Sequence, residues 1–204
     1  MFIPDIYKNK NQEDIIDFLQ KNSFGILVNQ TNGKLWATHI PLELDINKNG
    51  KQVLQGHIAK ENPQWESFID NDNVLAIFTG AHSYISPSWY DHENVPTWNY
   101  IAVHIYGTIK IMEGEAVIES LKKLVDKYEQ NSEKPVRMED FSKKTMMQTR
   151  GIVAFEIEIE EIQAQHKLSQ NRDKKNYDNI ISELKKTENP QATEVANEML
   201  KCRK

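Results

Sequence analysis

The chain has 204 residues, a formal net charge of −5, 39% hydrophobic and 27% charged residues, six histidines and one cysteine. This composition supports a folded domain with a sizeable core, argues against wholesale disorder, and lacks the basic stripe interleaved with aromatics that marks a nucleic-acid surface. A single cysteine, Cys202, excludes an internal disulfide framework, and neither a secretory leader nor an apolar run of spanning length is legible, so a cytoplasmic protein with no membrane partner is expected.

Asn11 to Asn22 reads as a first helix, with Asn11 as cap and Ile15, Ile16 and Leu19 as an apolar stripe edged by Phe18. Gly25–Val28 follows as a short strand. Asn32-Gly33 is a hairpin signal, and Leu35 to Leu44 the return strand. Asn49-Gly50 is a second such signal, leading into Val53–Ile58. Tight hairpins without a long crossover helix point to an antiparallel meander rather than a doubly wound parallel sheet.

Asn62 to Asp70 reads as a helix with Asn62 as cap, Pro63 at its first position and Trp65, Phe68 and Ile69 as an apolar face. Its N-terminus suits a phosphate, Lys60 just before it adds a charge, and His57 a ring donor. The plain alternative is an ordinary strand-to-helix turn with a solvated lysine.

Val74–Phe78 is a buried strand, interrupted at Gly80 and Ala81, with His82–Ser86 as its continuation. Pro87 to Pro96 is an aromatic, turn-rich loop. Tyr100 to Met112 alternates, and Gly107 in its middle predicts a bulge or a close approach. Glu115 to Gln130 is a helix that buries Val117, Leu121, Leu124, Val125 and Tyr128, and Met138 to Thr149 is another. Ile152 to Ile162 is a strand with Phe155, Ile157 and Ile159 inward and Glu156, Glu158 and Glu160 in water. Lys174–Lys186 and Gln191–Lys201 are C-terminal helices broken at Asn189-Pro190. The sum is six or more antiparallel strands with helices inserted and appended, a small β-barrel with helical decoration. The predicted boundary near Asn171 separates a barrel domain, 1–172, from a helical tail, 173–204, packed on the barrel or its dimer.

Histidines 39, 57, 82, 92, 104 and 166 show no metal-ligand spacing, so no metal site is expected. No nucleophile elbow, P-loop or dinucleotide fingerprint is present, and no residue stands out as catalytic. Lys167-Leu168-Ser169-Gln170-Asn171-Arg172 groups two cations with hydrogen-bonding side chains. Such a group holds a phosphate or the polar edge of a ring system, or is simply a solvated turn.

Five motifs in order resemble one family: His39-Ile40-Pro41-Leu42; Gly56-His57-Ile58-Ala59-Lys60 with Asn62-Pro63-Gln64-Trp65; Tyr84-Ile85-Ser86-Pro87-Ser88-Trp89-Tyr90; Val95-Pro96-Thr97-Trp98-Asn99-Tyr100; and Lys167 to Arg172. The family is that of the PaiB-like FMN-binding proteins, described as negative transcriptional regulators. The resemblance implies a mainly β protein with helices, a six-stranded antiparallel split barrel, forming a homodimer with FMN at its interface. It puts Ala59, Lys60 and Asn62 near the phosphate and Thr38 and His39 along the isoalloxazine or ribityl chain. It lets Lys167, Ser169 and Gln170 close the site from either subunit. No helix-turn-helix or basic recognition helix is legible, so direct DNA binding is not expected and regulation runs through flavin state or a partner. Two other activities stay open: an NAD(P)H-using flavin oxidoreductase, and a haem-binding protein with His57, His82 or His166 as axial ligand.

Overall fold

The computed structural model describes residues 1–69 and 73–202. Seven strands run in the order β2-β1-β5-β6-β7-β4-β3: β1 Phe24–Thr31, β2 Lys34–Pro41, β3 Glu43–Ile46, β4 Gln52–Ala59, β5 Asn73–Ile85, β6 Thr97–Ile111 and β7 Ile152–Lys167. The helices are α1 Gln12–Lys21, α2 Glu115–Glu129, α3 Lys143–Met146, α4 Lys174–Lys186 and α5 Pro190–Lys201. Among the described residues no helix is long and apolar enough to cross a membrane. The chain divides into two compact units, one of residues 19–77 and 105–162, the other of residues 1–18, 78–104 and 163–204. The last two residues of the predicted tail, like the Asp70 end of the predicted Asn62–Asp70 helix, lie outside the described residues.

In the 19–77/105–162 unit, the first hairpin turns on Asn32 and Gly33, both at positive φ (50° and 75°), as a two-residue turn matched to strand twist requires. It sets the register Leu27↔Thr38 and Ile26↔His39. The predicted return strand Leu35–Leu44 is in fact two strands. It breaks at Leu42, whose N–H donates to Ser23 O at 2.8 Å, so that β2 pairs with β1 while β3 pairs with β4. That break turns the expected six strands into seven. It also joins the two ends of the strand order through one residue, as a closed sheet requires. β4 passes close to this corner: a Cβ on Gly56 would lie 2.9 Å from Leu42 Cδ2 and 3.1 Å from Pro41 O.

β4 pairs antiparallel with β7 from Val53↔Glu158 to Ala59↔Ile152. Gly107 marks a close approach rather than a bulge, since a Cβ there would stand 2.1 Å from the Glu158 carbonyl oxygen. Leu27, Leu54, Ile105, Ile109, Phe155 and Ile157 are fully buried, each contributing about 1.5–3 kcal/mol by leaving water. Phe68 packs edge-on against Phe155, with centroids 5.5 Å apart.

Several expectations need correcting in this unit. Asn62–Asp70 is not an α-helix but a six-residue 3-10 turn, Pro63–Phe68, with Phe68 buried, Trp65 half-buried and Ile69 exposed. The helix α2 buries none of its apolar residues fully, and Tyr128 is exposed. The tyrosine instead works through its hydroxyl, which meets Ser23 Oγ at 2.6 Å and donates to Glu43 Oε1 at 2.9 Å, while Lys127 holds Glu43 Oε2 at 2.5 Å. Met138–Thr149 is not one helix but three short pieces, 138–140, α3 and 147–151. On β7, Glu160 is in water but Glu156 and Glu158 are half-buried, and Glu158 pairs with Lys51 and Lys110.

In the other unit, Gly80 and Ala81 do not interrupt β5, which runs unbroken to Ile85. The glycine is needed because the Phe18 ring of α1 lies over it: a Cβ would meet Phe18 Cε2 at 2.6 Å. Asn11 caps α1 as expected, accepting from Glu13 N–H at 3.0 Å. Asp173 and Asn189 cap α4 and α5, and Ile180, Leu184, Val195 and Met199 of these helices are fully buried together with Phe78, Ile85 and Leu168.

Candidate functional site

The turn from β4 into the 3-10 segment is held by a chain of hydrogen bonds. Asn62 N–H donates to Ala59 O (2.9 Å), Lys60 N–H to Gly151 O (2.8 Å), and the Trp65 indole N–H to Lys60 O (2.9 Å). Asn62 Oδ1 accepts from Gln64 N–H at 3.1 Å, capping the turn, and its amide donates to Thr38 Oγ1 at 2.9 Å. Beneath them, fully buried Gln64 donates from Nε2 to Leu27 O (3.2 Å) and to Asn29 Oδ1 (2.9 Å). The structure therefore brings together four of the predicted site residues, Thr38, Ala59, Lys60 and Asn62, on a hydrogen-bonded base. Gln64 and Asn29 build that base. The sequence shows Gln64 within a motif but gives no sign of its role, because both its partners lie more than 30 residues away.

The turn fits a phosphate. Thr38 accepts from Asn62 and keeps its own hydroxyl proton to donate. Lys60 is exposed and, among the described residues, pairs with no carboxylate. The backbone N–H groups of Lys60 and Asn62 are both engaged, with Gly151 O and Ala59 O, so what these two residues offer a ligand is their side chains.

The remaining predicted residues have other surroundings within their own units. His39 is on the opposite face of β2 from Thr38, exposed, with its ring 6.4 Å from that of Phe24. His57 is half-buried in a cavity of about 140 Å³ that Gly56, Glu43 and Lys127 also line, and burial lowers its pKa. In the other unit, Lys167 Nζ donates to Thr97 Oγ1 at 2.5 Å, and burial and the neighbouring Arg172 charge lower its pKa. Ser169, at φ 62°, is buried, its hydroxyl donating to Asn99 Oδ1 at 3.1 Å. Gln170 closes its own turn, accepting from Leu168 N–H at 2.8 Å and donating to His166 O. Among the described residues no three His, Cys, Asp or Glu side chains gather as a metal site.

The outer face of β2, β1 and β5 is apolar. Phe24 and Leu35 are 66% and 83% exposed, and Ile26, Val28, Leu75 and Ile77 are half-buried beside them in register.

Comparison with known proteins agrees with this architecture. A family described as "Putative FMN-binding domain" matches residues 1–161. The chain is 44% identical over 200 residues to protease synthase and sporulation protein PAI 2 of Bacillus subtilis, covering 98% of this chain and 96% of that one. Among solved structures, the FAD and heme binding protein from Mycobacterium smegmatis superposes with a TM-score of 0.60 at 15% identity, covering 79% of this chain and 73% of that one. The flavocytochrome Anf3 from Azotobacter vinelandii gives 0.60 at 16% identity over 84% and 75%. These two likenesses establish the split-barrel fold, here with a seventh strand made by the break at Leu42. With the match spanning most of its length, the chain belongs to the family of FMN-binding domains.

Proposed function

We propose that this protein is a cytoplasmic regulator that represses transcription as an FMN-loaded homodimer, without itself gripping DNA. The observation that carries the flavin site is the Thr38–Asn62–Gln64 hydrogen-bond chain beside the Lys60 ammonium, which pairs with no carboxylate among the described residues. In this reading Thr38, Lys60 and Asn62 take the phosphate, and Ala59 keeps the approach open because its side chain is small. FMN supplies reversible one- and two-electron chemistry when bound.

The apolar β2–β1–β5 face supports a second copy as its cover, since an exposed patch of that kind marks an association surface. His39, on that same face, would then contact the flavin ring at the subunit boundary, and Lys167 of the second copy would close the site. Ser169 and Gln170 are left out because their polar atoms are spent on Asn99, Leu168 and His166. His57 is left out because it lines the small cavity beside Glu43 and Lys127.

The test is a fluorescence titration with FMN and riboflavin, with mass measured in solution. Tight FMN binding, weak riboflavin binding, and about tenfold loss in Lys60→Ala/Asn62→Ala are expected. Equal binding of the two flavins sinks the phosphate assignment. A monomeric protein at micromolar concentration sinks the dimer. A shift of promoter DNA at low salt would overturn indirect repression, and steady NAD(P)H consumption would replace the regulator by an oxidoreductase.

A further inference from the structure

A groove of about 900 Å³ lies in the unit of residues 1–18, 78–104 and 163–204, and none of Thr38, Ala59, Lys60 and Asn62 lines it. Its volume is that of a small-molecule site. The N-terminal 3-10 turn Asp5–Tyr7 contributes Tyr7, with Lys8 just after it; the end of β7 contributes His166, and the start of α4 Lys174 and Tyr177, with Arg172 just before.

Three cations at this groove, Lys8, Arg172 and Lys174, pair with no carboxylate among the described residues, whereas Lys201, also lining it, is held by Glu198 at 2.5 Å. Arg172 is pre-set: its guanidinium lies 4.9 Å over the Tyr90 ring. Stacking on a ring face fixes the plane of the group and leaves its N–H edges free for a bidentate acceptor. The His166 ring accepts at Nε2 from Asn9 Nδ2 (3.3 Å), which leaves Nδ1–H as a donor. The opposite sign is also present: Asp5, Asp14 and Asp178 line the groove, and Asp14 acts on the charge of His166. A ligand with anionic groups at both ends would meet repulsion there. Tyr7, half-buried, offers ring surface to the groove, while Tyr177 is buried at its wall with its hydroxyl donating to Met199 O at 2.7 Å.

We propose that this groove is a second binding site, taking a small molecule with one oxyanion group, carboxylate or phosphate, on an aromatic body. The oxyanion sits against Arg172 and Lys174, and the ring along Tyr7. In a regulator, such a site receives the signal that the flavin does not.

The test is calorimetric titration of the whole protein with benzoate and with phenyl phosphate, each with and without saturating FMN. Binding of one probe at one per chain, undiminished by FMN, is expected, and which probe binds distinguishes a carboxylate from a phosphate. Arg172→Gln/Lys174→Gln should weaken it about tenfold or more, while Arg172→Lys loses less. The exposed Lys174→Gln alone keeps the test valid if the double variant folds poorly. Binding of neither probe, competition with FMN, or unchanged affinity in the charge variants overturns the proposal.

Discussion

Replacing Gln64 by leucine tests how the site turn is anchored. The side chain is fully buried and donates two hydrogen bonds, to Leu27 O and Asn29 Oδ1. Leucine nearly preserves its volume, so the change isolates the polar term. Losing both bonds and leaving buried acceptors bare costs about 3 kcal/mol. For a chain of this length that lowers the melting temperature by about 9 °C. Gln64 Oε1 and Asn29 Nδ2 already lack partners, so part of the burial cost is present before any mutation. The double variant Gln64→Leu/Asn29→Leu should therefore lose less than the two single variants together, by about 1 kcal/mol in a thermal-melt cycle. A fall of less than about 3 °C in Gln64→Leu, or strict additivity in the cycle, would refute the reasoning.

Gly107→Ala puts a methyl carbon 2.1 Å from the Glu158 carbonyl oxygen; β6 and β7 must separate, and expression as soluble, folded protein should fail or the urea midpoint fall steeply. Glu43→Ala removes the acceptor shared by Lys127 and Tyr128; amide exchange in α2 should quicken while β1 and β5 stay protected. Burial holds the pKa of His57 and His166 below the ordinary imidazole value of 6.5. The unfolded chain therefore takes up protons first, and stability falls as pH drops through 6.5 toward the folded values, with no such loss above it. Urea midpoints at pH 7.5 and about 5.5 should show this slope, shallower in His57→Gln/His166→Gln.

Most of the hairpin pattern was legible because its causes are local. Asn32, Gly33 and Gly50 take the positive φ that such turn residues favour, and alternation along Tyr100–Met112 reports which face is buried. The break at Leu42 was not legible: Leu35–Leu44 reads as one strand, and only its neighbours decide that one half pairs with β1 and the other with β4. The Asn62 cap was legible, but not the length of the segment it starts, since a six-residue 3-10 turn and an α-helix begin with the same signals. At the candidate site, residue types could be read and orientation could not. Thr38 and His39 are adjacent in sequence and face opposite ways, and Ser169 looks available until its positive φ turns the hydroxyl inward to Asn99.

The corner at Leu42 also governs how this chain can change length. A single residue separates β2 from β3, and side chains along a strand alternate between faces. One inserted residue there would invert β3 relative to β4, moving Leu44 from its present side to the other. The turn at Asn47–Lys51 carries no such parity, because both its ends are already paired through Ile46↔Gln52 and its residues are mostly exposed. Insertions should accumulate in that loop and be absent at the corner, so the spacing from His39 to Glu43 serves as a length ruler for related chains.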